Sequence, residues 1–149
     1  MQHYRLHQRL GYRVTRLSRI MQAALEAELA PHNLTRLMWV VLYGIATDRI
    51  ETPSQLASYL GVTRPSISRV VHKLQAVGLI DRIERDGPDA RTVRLVPTEA
   101  GRQLVETLQP RVDAHNAHFS GKLTPEELAL LMSALERLCA GERDVFPQL

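Results

Sequence analysis

Arg64, Ser66, Ser68, Arg69, His72 and Lys73 fall within one short stretch, and helical spacing would put them on one outer face. They are cations and hydroxyls with no carboxylate among them. Phosphate oxygens and base edges accept from such donors, and a helix has the width of a major groove. Thr63 precedes them as a helix cap and is itself a candidate DNA contact, with Pro65 in the first turn. The same segment carries Ile67, Val70, Val71, Leu74 and Val77, which make an apolar face behind the polar one.

The element before it must hold that helix in place. Thr52-Pro53-Ser54-Gln55 reads as a capping box and opens a short helix to Leu60. Gly61 ends it with the freedom to take positive φ, and Gly61-Val62-Thr63 makes the turn. Ala57 allows close approach at the crossing, and Leu56, Leu60, Val62, Ile67 and Val70 fill it. This is a helix-turn-helix pattern. A plain helical hairpin with a solvated face has the same pattern, so the flanking residues matter. After Gly78 the period changes to that of strands, at 79–85 and 92–96, with Asp86-Gly87-Pro88-Asp89 as the turn between them. A hairpin with a basic tip beside the polar helix adds a second contact, with Arg91 placed to enter a minor groove. Arg85 and Lys73 are placed for phosphates.

The flanks read as helices. The first thirty residues are expected to form one long helix with an apolar stripe of Leu10, Val14, Leu17, Met21 and Ala24. Arg5, Arg9, Arg13, Arg16 and Arg19 form a second stripe, read as a solvated face. Ala30-Pro31-His32-Asn33 breaks the helix. Thr35 caps the next, through Leu37, Trp39, Val40, Val41 and Leu42 to about Gly44. Thr98 caps a helix to about Phe119, bent at Pro110. Thr124-Pro125-Glu126-Glu127 opens the last, with an apolar face of Leu128, Leu131, Leu135 and Leu138. Gly141 ends it, and the tail beyond is expected to fray. The outer helices carry more apolar surface than one small chain hides, which implies a second copy.

The sequence resembles the MarR family of winged-helix regulators. The likeness runs through Leu34-Thr35 to Leu42, Pro53-Ser54-Gln55-Leu56-Ala57 to Arg69, Gly78-Leu79-Ile80, Asp86-Gly87-Pro88-Asp89-Ala90-Arg91, and Leu95-Val96-Pro97-Thr98-Glu99-Ala100-Gly101. It implies a fold that is mainly α with a small β hairpin (α+β), a winged helix-turn-helix embedded in a helical dimerisation domain. The expected parts are 1–46 (N-terminal helices, dimerisation), 47–97 (the winged module) and 98–149 (C-terminal helices completing the dimerisation domain). The resemblance implies a homodimeric regulator, a repressor, on double-stranded DNA with a pseudo-palindromic operator. Asp89 would hold the wing arginine, Arg91. Two positions depart from the family pattern. Ala90 stands where family wings often have an arginine, and His72-Lys73 stands where Asp-Arg is usual, which changes the expected base preference. The resemblance also implies a small aromatic or phenolic effector, with Tyr12, Arg16, Met38, Trp39 and Tyr43 as cleft residues. Packing in the core is the other reading of Trp39.

The remaining chemistry is sparse. The chain of 149 residues has 44% hydrophobic and 23% charged residues and a formal charge of +3, an ordinary globular composition that is mildly basic. The longest near-apolar run, Leu37 to Ala46, is about half a bilayer span, so no membrane helix is expected; the Arg-rich N-terminus has no apolar segment behind it, so no secretory signal is expected either, and a cytoplasmic setting is expected. The single Cys139 excludes an internal disulfide, and on the apolar side of its helix it would be inert. His115 with His118, and His3 with His7, have zinc-compatible spacing but nothing to complete a site, so no metal or cofactor is expected. No G-x-S-x-G, P-loop, H-E-x-x-H or glycine-rich dinucleotide turn is present, so an enzyme is not expected. The rival to DNA binding is a non-catalytic helical protein-interaction module on the same scaffold.

Overall fold

A computed structural model describes residues 5–84 and 93–149. Helix α1 is Leu10–Leu29, shorter than the expected helix. Before it lies a single 3-10 turn, Leu6–Gln8, and Arg9 is extended at φ −78° and ψ 133°. The reason is electrostatic. No acid precedes Glu26, so cations at helical spacing repel one another and oppose the positive end of the helix dipole. Arg5 and Arg9 therefore leave the stripe, and Arg13, Arg16 and Arg19 alone share the helix. Arg13 Nε bridges back to the His7 carbonyl at 2.7 Å.

Pro31 and Asn33, the latter left-handed at φ 55°, turn the chain into α2, Arg36–Ala46. Thr35 Oγ1 accepts from the Met38 amide at 3.2 Å, an N-cap. The helix continues past Gly44, where the missing side chain lets Leu56 and Ile50 pack close. Met38, Trp39, Val41, Leu42 and Ile45 are all buried, so α2 is the central helix. It packs against α1 and, further along the chain, against the helix-turn-helix and the strands.

Helix α3 is Pro53–Leu60 with both hydrogen bonds of the Thr52–Gln55 capping box formed. Gly61 takes φ +62°, and α4 is Arg64–Ala76. Strands β1, Ile80–Glu84, and β2, Val93–Pro97, pair antiparallel from Ile80 with Pro97 to Glu84 with Val93. The loop before α3 is tied to this sheet. The Leu95 amide donates to the Glu51 carbonyl at 2.7 Å, and Arg94 Nη2 meets Glu51 Oε1 at 2.6 Å.

Helix α5, Glu99–Ser120, runs unbroken through Pro110, and α6 is Pro125–Cys139 with a second complete capping box. One apolar core joins α2, α3, α4, both strands and the first half of α5, closed at one end by Leu29. Helix α6 contributes nothing to it. Leu131, Met132, Leu135 and Leu138 on α6 and Leu10, Val14, Leu17 and Ile20 on α1 stay exposed within the single chain. Cys139 is exposed as well, against the expectation of burial, because among the described residues no element buries a residue of α6. Among the described residues no helix is long and apolar enough to cross a membrane.

Candidate nucleic-acid interface

Helix α4 buries Ile67, Val70, Val71 and Leu74 against the core and α3. That packing turns Arg64, Ser68, Arg69, His72 and Lys73 outward to solvent, on one face of the helix. Val77 does not extend the apolar face as expected. It is 61% exposed, because the helix has ended there and Gly78 turns the chain at φ +75°.

Ser66 is the larger departure. Expected on the outer face, it is 3% exposed. It lies one turn before the buried Val70, on the inner flank rather than the crest. Its hydroxyl donates to the Pro147 carbonyl at 2.7 Å, receives Arg69 Nη2 at 3.1 Å and meets Thr63 Oγ1 at 3.0 Å. Thr63 does occupy the N-cap position, but its hydroxyl caps no backbone amide because it is engaged with Ser66. Arg64 Nη2 donates to Ser54 Oγ at 3.0 Å, linking the starts of the two helices.

The segment from Arg143 onward does not fray. Phe146 forms a parallel bridge with Val62: its amide donates to Gly61 O at 2.9 Å, and its carbonyl accepts from the Thr63 amide at 3.0 Å. Arg36 Nη2 reaches the Leu149 carbonyl at 2.9 Å. The only local hint was the apolar Val145-Phe146 pair beyond Gly141. This tail walls one side of a cleft of about 450 Å³ that is also lined by Leu34, Leu37, Arg69 and Lys73.

Arg85, Asp89 and Arg91 lie outside the described residues. The expected effector residues are not brought into one cleft by the single chain. Met38 and Trp39 are core residues at 6% and 4% exposure, and the Trp39 and Tyr43 rings pack tilted at 46° with centroids 5.7 Å apart. Tyr12 and Arg16 line a separate surface groove along α1 of about 820 Å³. His115 Nε2 is hydrogen-bonded to the Met21 carbonyl at 2.9 Å, joining α5 to α1. Among the described residues no group of three metal-ligating side chains gathers.

Residues 32–92, from the start of α2 through the helix-turn-helix to the wing, match the sequence profile of the MarR family. That stretch, about two fifths of the chain, is similar to the MarR family. Solved structures share its fold. BpsR of Bordetella bronchiseptica, whose DNA binding is regulated by 6-hydroxynicotinic acid, is 21% identical with a TM-score of 0.81, covering 93% of this chain and 99% of that one. CouR of Rhodococcus jostii RHA1, solved bound to p-coumaroyl-CoA, is 23% identical with a TM-score of 0.78, covering 92% and 96%. MepR of S. aureus, solved as a complex with DNA, is 22% identical with a TM-score of 0.79, covering 89% and 97%. The matched stretch spans α4 and its outward cations, so the likeness and the geometry concern the same surface.

Proposed function

We propose that this chain is a MarR-family, ligand-responsive, DNA-binding transcriptional regulator, acting as a homodimeric repressor in the cytoplasm. The observation that carries the reading is the outer face of α4, where Arg64, Ser68, Arg69, His72 and Lys73 stand exposed on a helix whose other side is locked in the core. Ser68, Arg69 and His72 meet base edges, and Arg64 and Lys73 meet phosphates. The loop between β1 and β2 adds Arg85 on phosphate and Arg91 in the minor groove, with Asp89 orienting Arg91. Ser66, buried on the flank, acts through Arg69 instead of touching a base.

Two copies related by a two-fold axis, joined through the bare faces of α1 and α6, carry two such helices to half-sites about 34 Å apart. The relatives regulated by 6-hydroxynicotinic acid or bound to p-coumaroyl-CoA support a small aromatic or phenolic effector here too. Such a ligand releases DNA if it binds the DNA-incompetent arrangement more tightly. Tyr12 and Arg16 in the α1 groove are its candidate contacts, with a second copy closing the groove. Transcription regulation, not catalysis, is the family's work.

Selection of bound duplexes from a random pool tests the reading. A pseudo-palindrome should emerge, and affinity should fall steeply with salt, with a slope that reports several phosphates. Failure to retain any duplex in dilute buffer would return the chain to the class of protein-interaction modules.

A further inference from the structure

We propose that the segment 144–149 is an intramolecular strap that competes with DNA for the leading edge of α4. The proposal rests on the DNA-binding reading above. Its starting point is which donors the strap engages. The Thr63 amide, at the start of the recognition helix, donates to Phe146 O. The Ser66 hydroxyl donates to Pro147 O, and Arg69 Nη2 is drawn onto Ser66 behind it. Thr63 and Arg69 are of types that suit phosphate and base contact, Ser66 is the residue through which Arg69 is held, and each is engaged by the strap or by a residue the strap holds.

The seat is specific. The Phe146 amide is satisfied by Gly61 O, so the strap is zipped to the turn by backbone on both sides of Val62. A Cβ at position 61 would fall 2.6 Å from the Asp144 carbonyl. Gly61 therefore serves twice, once for its positive φ and once to let the strap lie flat. Arg36 anchors the far end on Leu149 O. The strap engages cation and hydroxyl donors through carbonyl oxygens, as a phosphate would, but without a phosphate's full charge. DNA displaces it when enough phosphates are offered together. Because the strap follows α6, whose apolar face awaits a second copy, its seating is linked to how the dimerisation helices pack.

The test uses the full chain and a duplex selected by the wild type. Phe146→Pro removes the donor to Gly61 O without touching α4. It should bind the duplex about tenfold more tightly, as expected when a competing state held by a net hydrogen bond or two is weakened. Hydrogen–deuterium exchange gives a second readout on the unaltered protein. The Phe146 amide should lose protection when the duplex is saturating. Unchanged or weaker affinity of a folded Phe146→Pro variant, or a Phe146 amide still protected in the complex, overturns the strap while leaving the DNA reading intact. Absence of duplex binding by the wild type and the variant alike overturns both.

Discussion

The carbonyl oxygen of Leu79 lies against the bare α-carbon of Gly101, in the first turn of α5. The same carbonyl accepts from the Thr98 amide at 3.1 Å. The Thr98 hydroxyl donates to Gly78 O at 2.6 Å and accepts from the Gly101 amide at 3.1 Å. Helix α5 is thus hung on the turn that ends α4, through Gly78, Leu79, Thr98 and Gly101.

Gly101→Ala should therefore destabilise. In an ordinary helix interior this change is favourable by up to about 1 kcal/mol. Here the added methyl would collide with a backbone oxygen that cannot swing aside, and a loss of about 3 kcal/mol is expected. Urea denaturation reads the sign directly, and a raised midpoint would contradict the contact.

The apolar row on α6 predicts the assembly. Leu135 and Leu138 are 37% and 53% exposed within one chain. A dimer formed through α1 and α6 would bury them. Leu135→Glu should shift sedimentation from dimer to monomer while the reading head stays folded, because α6 contributes nothing to the core. Operator affinity should fall with it, since two linked half-sites become one.

On the recognition helix, Arg69→Ala should weaken binding by about 1–3 kcal/mol if it reads a base, and relax the selected sequence at one position per half-site. Lys73→Ala should instead weaken all duplexes alike and lower the salt slope by about one per subunit. Arg91→Ala should lower affinity and leave the dimer intact. Equal specificity profiles for all three variants would remove the division into base and phosphate contacts.

Tyr59 offers a pH observable at the start of the same head. Its hydroxyl donates to Asp48 Oδ2 at 3.0 Å, bracing α3 to the loop before it. That hydrogen bond, and then the charge of Asp48, push the phenol above its ordinary value. The neutral phenol is the form favoured by folding. The contribution to stability is therefore full below the unfolded-state value and lost as pH rises through the folded one. Ultraviolet titration should show a late-ionising tyrosine that is absent in Tyr59→Phe and brought back toward its ordinary value by Asp48→Ala, which removes both the acceptor and the charge.

Much of this molecule is written in short-range chemistry. Thr35, Thr52, Thr98 and Thr124 mark helix starts because a cap bonds an amide three residues on. Gly61 and Gly78 mark ends because only a few residues tolerate positive φ. The cations of α4 could be placed on an outer face because Ile67, Val71 and Leu74 set the inner one. These signals act within a turn or two of chain, so the sequence by itself determined the order of elements and the helix-turn-helix. Tertiary structure decided what depends on distant partners. Ser66 is buried by a carbonyl 81 residues away. Trp39 belongs to the core because α2 is surrounded on several sides. The tail pairs with the turn through backbone groups that every residue carries, and backbone hydrogen bonding leaves no mark in side-chain pattern.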